Sequence, residues 1–333
     1  MTAEAPAPEI EELPILILYP HSRCNCRCVM CDIWKTDQAE EISAAELERH
    51  MEDIGRLRTR WVVFSGGEPL MHSDLFGLAR LLRREGIRTT LLSTGLLVER
   101  HARSIIENLD EVIVSLDGPA EIHDRIRRVP RAYELLAAGV VALKRLNPAF
   151  PIAARSTVQR LNHAHLTDTV SAAKALGLNS ISFLAADVTS TAFNRQLVWP
   201  TDRQNEIALS REEIAALESQ VEALIQANDP FVLESPEKLQ RIVHHFKAHL
   251  GLETHSARRC NAPWVSAVVE SDGTVRPCFF HPPIGNVREQ PLASALNSET
   301  ARTFRANLDV AENPTCQRCV CSLYWNPEKA ATP

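Results

Sequence analysis

The sequence predicts an α/β fold in which a parallel sheet is covered by helices. Three observations predict it: six short apolar runs bounded by turn residues, an amphipathic stretch of helical length beside each, and their regular alternation from residue 13 to residue 185. The first run, LPILILY (13–19), reads as a buried strand. Ser43-Ala-Ala-Glu46 then forms a capping box that opens an amphipathic stretch to about Leu57. WVVFS (61–65) is the second strand, ending in Gly66-Gly67-Glu68-Pro69, and a helix is expected from about Ser73 to Glu85, stopped by Gly86. The alternation continues through strand 89–93, a helix to about Asn108, strand 111–116, helix 130–145, strand 152–158, a helix around 164–176 and strand 180–185. Six such units fit an open doubly wound sheet or an incomplete βα barrel. In both, function gathers at the C-terminal ends of the strands, and those ends are polar here: His21, Ser65, Glu68, Ser93, Thr94, Ser115, Asp117, Gln159, Asn162 and Asp187.

After the sixth strand the pattern lapses into a polar loop, 189–210, that holds Trp199-Pro200; a loop of that length reads as functional or mobile. Two helices, 211–227 and roughly 236–250, follow as a bridge, separated by Asn228-Asp-Pro230. The last eighty residues change character. WVSAVVESDGTVRPCFF (264–280) reads as a hairpin turning at Asp272-Gly273, IGNV (284–287) as a short strand, and 292–308 as a helix.

Composition narrows the function. A 333-residue chain with 45% apolar and 23% charged residues is ordinary for a soluble globular protein, and its net charge of −6 argues against a sequence-independent nucleic-acid binder. No apolar run reaches membrane-spanning length. The acidic, proline-bearing start, residues 1–12, reads as a disordered tail and not as a signal peptide. Nine cysteines in two widely separated groups, without an export signal, point to metal ligation in a reducing cytosol.

The first group stands directly after the first strand. Cys24, Cys28 and Cys31 form a C-x3-C-x2-C array, and three thiolates so spaced can hold three irons of a cubane and leave the fourth open. A zinc knuckle would need two C-x2-C pairs at a longer separation. Cys26 is surplus to the array and is expected not to ligate, since a fourth thiolate would close the open iron.

This array after one strand, with Gly66-Gly67-Glu68-Pro69 after the next, resembles the radical S-adenosylmethionine (radical SAM) superfamily across roughly residues 13–325. The resemblance implies a partial (βα)6 TIM-like barrel over 13–210. It also implies a 4Fe-4S cluster on Cys24, Cys28 and Cys31, S-adenosylmethionine on the open iron, and a 5′-deoxyadenosyl radical that removes a hydrogen atom from the substrate. Gly66, Gly67 and Glu68 would lie against the methionine moiety, and Met30, where the family usually has an aromatic residue, would pack on adenine. Ser115-Leu-Asp117-Gly118 resembles the family's SxDG segment and His123-Asp-x-x-Arg127 its HDxxR. They imply cofactor contacts for Ser115 and Asp117 and a carboxylate partner in Arg127; Ser93 is a weaker contact of the same kind.

Cys260-x12-Gly273-x4-Cys278 followed by Cys316-x2-Cys319 resembles the SPASM/twitch domain of the same superfamily, expected over 256–327 beyond a helical bridge at 211–255. Five cysteines cannot complete two four-cysteine clusters. The shorter version therefore fits, with one auxiliary 4Fe-4S cluster on Cys260, Cys278, Cys316 and Cys319, while a four-cysteine zinc ribbon is the other use of such a set. Cys321 is left over, either an inert thiol or a hydrogen-atom donor to a substrate radical. The expected activity is oxidation, epimerisation or bond formation on a small molecule or a peptide. The short segment before the first strand leaves no room for a leader-binding domain, which favours a small molecule or a peptide presented by a separate protein. A low-potential donor such as flavodoxin or ferredoxin is the expected partner, with no nucleic acid and no membrane. The other class to be kept is an iron–sulfur electron-transfer or zinc-binding protein without radical chemistry.

Overall fold

The computed structural model describes residues 8–36, 38–195, 197–256, 259–321 and 323–326. Nine strands are present among them: β1 (Ile15–Leu18), β2 (Trp61–Phe64), β3 (Arg88–Ser93), β4 (Glu111–Ser115), β5 (Ile152–Val158), β6 (Ser180–Ala185), β7 (Ser266–Val269), β8 (Thr274–Arg276) and β9 (Gly285–Asn286). The six expected strand–helix units are there, and the chain gathers into two compact units. One comprises Met1–Ser22, Gln38–Thr90 and Ser256–Pro333; the other comprises Arg23–Asp37 and Leu91–His255.

In the first unit β1 pairs in parallel with β2 on one side and with β7 on the other, Ile15 standing beside both Trp61 and Ser266. The C-terminal hairpin is thus built directly onto the first strand, a pairing that no local pattern in the sequence announces. β7, β8 and β9 then form an antiparallel meander that turns at Gly273, whose φ of +86° only glycine adopts without strain. Ile15, Ile17 and Val268 make a small apolar core, against which Tyr19, Trp61, Val63, Phe279, Leu323 and Trp325 pack. Residues 1–7 of the expected tail lie outside the described residues. Ile10 is anchored, contrary to expectation: it is 7% exposed, and its N–H and C=O both bond the Asn297 amide.

Four helices differ from their expected form. Ser43 and Glu46 make the capping box, but the stretch they open breaks at His50 into Ala44–Glu48 and Met51–Arg56. The stretch 292–308 breaks at Asn297, because Ser298 caps a new helix, Glu299–Ala306. The HDxxR motif lies on a helix of its own, Ala120–Arg127. The polar loop contains a helix, Thr201–Ile207, entered through Pro200.

In the second unit β4, β5 and β6 pair in parallel register, and the segment after the first bridge helix adds to the outer side of β6, Phe231 O and Leu233 N–H bonding Ile181. Val114, Ala154 and Ile181 share one register layer and are buried under helices. The next layer, Ser115, Arg155 and Ser182, faces the opposite side. Among the described residues no helix is long and apolar enough to cross a membrane.

Candidate functional site

The cysteine loop, 23–34, has almost no regular secondary structure, so its backbone groups must find partners one by one. Side chains from two places and one helix end supply them. Arg203 donates to the Val29 carbonyl, and Arg195 to that of Met30 at 3.2 Å. Trp34 Nε1 takes the Cys31 carbonyl at 2.8 Å, and Asn194 that of Asp32. On the other flank, the N–H groups of Arg27 and Val29 donate to the carbonyls of Arg127 and Ile126, the last turn of helix Ala120–Arg127.

The 189–203 segment works as a latch. Arg195, buried at 5%, pairs with Asp187 at 2.6 Å and stacks 3.9 Å from the Trp199 ring, with Arg203 also 4.7 Å from that ring. Trp199 Nε1 donates to Asp32 Oδ2 at 2.8 Å, and Lys35 pairs with Oδ1 at 2.9 Å. Sequence reading marked the loop and its Trp199, but it missed Asp32, Arg195 and Arg203. Their contacts join residues about 165 positions apart and leave no local signal, apart from a basic-aromatic spacing within the loop itself.

Cys28 lies at the centre. Arg127 Nη1 donates to its sulfur at 3.5 Å while Nη2 pairs with Asp117 at 2.6 Å. The buried Cys26 thiol lies within electrostatic reach of the same sulfur. That thiol, together with the Arg127 charge, holds Cys28 down to about 6 against its burial, whereas burial and the Cys28 charge push Cys31 up to about 12. Arg127 stays protonated, because Asp117 and Cys28 outweigh the cost of its burial. Asp117 is fully enclosed: Oδ1 accepts the Thr157 N–H at 2.9 Å, its carbonyl accepts from Asn162, and its N–H donates to His123 Nδ1. Burial lowers His123 to about 3, so it stays neutral as an acceptor.

The other expected cofactor residues are placed as follows. Met30 is half-buried in the turn before Cys31, and Ser115 is half-buried at the end of β4 with no hydrogen bond from its hydroxyl among the described residues. Ser93 accepts the Gly95 N–H, whereas its neighbour Thr94 reaches the cysteine loop by donating to Asn25 at 3.0 Å. In the first unit, Gly66 has φ +99°, and a Cβ there would stand 2.6 Å from the Tyr19 ring, so packing alone demands a glycine. Gly67 is half-buried, and Glu68 is fully buried with its carboxylate accepting the Leu70 N–H.

The second cysteine group belongs to the first unit. Cys260, Cys278 and Cys316 lie within electrostatic reach of one another; burial pushes Cys278 to about 12 and Cys316 to about 11, with the Cys260 charge adding to both. Asn313 caps the turn that presents Cys316, and the buried His281 brings Nε2 to 3.3 Å from the Cys316 sulfur. Cys319 and Cys321 meet each other, Sγ of the first donating to the carbonyl of the second at 3.2 Å. All nine cysteines are free thiols, a soft donor set of the kind that holds iron–sulfur clusters, although among the described residues no three candidate ligands stand close enough together to hold a single metal ion.

Comparison with known proteins agrees with this chemistry. Residues 18–183 match the radical SAM superfamily, and residues 260–320 match SPASM, an iron–sulfur cluster-binding domain. The AdoMet-dependent heme synthase of Methanosarcina barkeri is 29% identical over 298 residues, 87% of this chain and 83% of that protein. The pre-heme d1 synthase of Dinoroseobacter shibae is 34% identical over 160 residues, 46% of this chain and only 39% of that relative's length. The structure of Streptococcus suis SuiB bound to S-adenosylmethionine matches 94% of this chain and 73% of its own, with a TM-score of 0.65 at 15% identity. At that identity the likeness is one of fold, and the fold is the partial TIM-like barrel of radical SAM SPASM enzymes. A 4Fe-4S cluster with S-adenosylmethionine, and auxiliary iron–sulfur chemistry in the C-terminal part, go with those two domains. The chain belongs to the radical SAM superfamily, as a member with a SPASM iron–sulfur cluster-binding domain.

Proposed function

We propose that this chain is a radical SAM oxidoreductase acting on a carboxylate-bearing small molecule of the heme-precursor kind. Cys24, Cys28 and Cys31 would hold the cluster that binds S-adenosylmethionine, and Cys260, Cys278, Cys316 and Cys319 one auxiliary cluster. When bound, S-adenosylmethionine supplies the 5′-deoxyadenosyl radical that takes a hydrogen atom from the substrate, and an auxiliary cluster supplies one-electron transfer. The protein's part is to hold the cysteine loop through Arg195, Trp199, Arg203 and the helix Ala120–Arg127, to keep solvent from the buried polar groups, and to orient the substrate.

The observation that carries the substrate class is Arg155. It is an exposed arginine in the middle of β5, between Ser115 and Ser182 in register and away from the buried helix-facing layer. Its Nε donates to Ser182 at 3.2 Å, and its charge also reaches the half-buried Glu234 carboxylate, so a substrate carboxylate would share the fork. The likeness along most of both chains to a protein named a heme synthase points the same way.

The test is anaerobic reconstitution, reduction, and incubation with S-adenosylmethionine and porphyrins carrying deuterated propionate side chains. Deuterium entering 5′-deoxyadenosine from a porphyrin is the expected result. Arg155→Met should then raise KM and leave uncoupled 5′-deoxyadenosine formation intact. Deuterium transfer from a peptide and none from any porphyrin would overturn the substrate class while leaving the radical chemistry in place.

A further inference from the structure

The family resemblance gives Arg127 to the carboxylate of S-adenosylmethionine, but two of its nitrogens already have partners and its buried Nε has no hydrogen-bond partner among the described residues. One nitrogen of its fork is on Asp117 at 2.6 Å and another on the Cys28 sulfur at 3.5 Å, with the side chain only 8% exposed and Asp117 at 0%. We propose that Arg127 is a positioning residue for the cluster, holding a charged hydrogen bond on the Cys28 sulfur that sets the cluster's reduction potential. The proposal rests on Cys24, Cys28 and Cys31 holding that cluster and is independent of the substrate.

Three features support it. First, the helix Ala120–Arg127 turns its last carbonyls onto the N–H groups of Arg27 and Val29, and Arg128, with φ +52°, ends it there. The backbone therefore fixes where the Arg127 side chain begins, within the cysteine loop's own hydrogen-bond pattern. A helix C-terminus also carries partial negative charge, which an anionic cluster would resist; the guanidinium at that end offsets it. Second, Asp117 is braced by Thr157, Asn162 and His123, so the fork cannot swing away from the sulfur without breaking a buried ion pair. Third, Arg127 Nη1 reaches the Cys28 sulfur at 3.5 Å and brings a full positive charge to it. Hydrogen bonds to ligating sulfurs favour the reduced, more negative cluster and raise its potential.

The geometry makes the two halves of the ion pair act with opposite sign. Arg127→Gln removes a positive donor and should lower the potential, and Asp117→Asn leaves the guanidinium unneutralised and should raise it. The experiment is a redox titration of the full chain with both clusters loaded, following by electron paramagnetic resonance the signal that responds to S-adenosylmethionine. At a fixed poise we expect the reduced-to-oxidised ratio to fall about tenfold in Arg127→Gln, which is about 59 mV for one electron. Arg127→Lys should lie between wild type and Arg127→Gln.

A merely structural role would reduce iron content and leave the potential of the loaded fraction unmoved. Shifts of the same sign in Arg127→Gln and Asp117→Asn, or ratios within twofold of wild type, overturn the proposal. Should Arg127→Gln fail to load, Arg127→Lys and Asp117→Asn decide it by the same measurement. Loss of the signal only when a cysteine outside the 24–31 loop is replaced would instead overturn the ligand assignment.

Discussion

Replacing Arg195 by Met should release the latch from the cysteine loop while leaving the rest of the second unit folded. The change strands Asp187, 2% exposed, without the guanidinium 2.6 Å away. Breaking a buried pair in this way costs about 3–5 kcal/mol. Lost stacking at 3.9 Å from Trp199 adds to it; a desolvated contact of that kind is worth about 2 kcal/mol. The donors to the Met30, Asp187 and Ser190 carbonyls go as well. These losses share one side chain and do not add in full, and Met fills most of the volume, so about 4 kcal/mol is the working figure. In local opening that is roughly a thousandfold, at about 1.4 kcal/mol per factor of ten. Hydrogen exchange of peptides covering 27–34 and 193–203 in the loaded protein reads it directly, and β5 serves as the internal control. The double variant Asp187→Asn, Arg195→Met carries no stranded charge and should recover about half of the loss. Unchanged protection in Arg195→Met would refute the latch, and a double variant worse than the single would refute its electrostatic basis.

Other consequences follow from individual residues. His123 is held neutral with its pKa depressed to about 3, so only the unfolded chain binds its proton between that value and 6.5. Stability due to His123 is therefore complete above pH 6.5 and falls on acidification by up to about 1.4 kcal/mol per pH unit; denaturation midpoints at pH 7 and pH 5 should lose this difference in His123→Gln. Gly66→Ala places a Cβ 2.6 Å from the Tyr19 ring at φ +99° and should destabilise by about 1–3 kcal/mol in urea melts, whereas an unaffected midpoint would show that Tyr19 yields. Iron analysis separates Cys319 from Cys321: two cubanes hold about eight irons, Cys319→Ala should drop the count to about four and Cys321→Ala should not, and the reverse would exchange their roles.

The strands were legible because each is a short apolar run whose partner faces are buried, as ILIL at 15–18 and EVIVS at 111–115 illustrate. The cysteine array and the Gly66–Pro69 turn were legible because their chemistry is local in sequence. What the sequence concealed is non-local or depends on a single cap. Ser298 interrupts an otherwise helical pattern because its side chain takes the Ala301 N–H, a competition that periodicity does not register. β7 pairs with β1 across some 250 residues. Asp117 and Arg127 were found as motif residues, but the sequence had no means of showing that they bond each other and the Cys28 sulfur. A motif specifies residue types at a spacing, and the direction of a fork depends on what is packed behind it.

That distinction bears on how the cysteine loop keeps its shape. Irregular backbone stays fixed only where its carbonyls are satisfied, and four consecutive ones here, from Val29 to Asp32, are taken by side-chain donors. Three of those donors, Arg195, Arg203 and Asn194, come from the segment after the sixth strand. The three cysteines therefore do not set their own geometry. Their loop is cast between a helix end on one flank and a cationic–aromatic stack on the other, each anchored by a buried aspartate or its neighbour. With the proposed ligand set the 189–203 segment varies at a cost to the cluster, and on the proposed function substrate preference can change at Arg155 without disturbing it. On the proposed function, exchanging Arg155 should weaken substrate binding and leave 5′-deoxyadenosine formation intact, and exchanging Arg195 should suppress that formation.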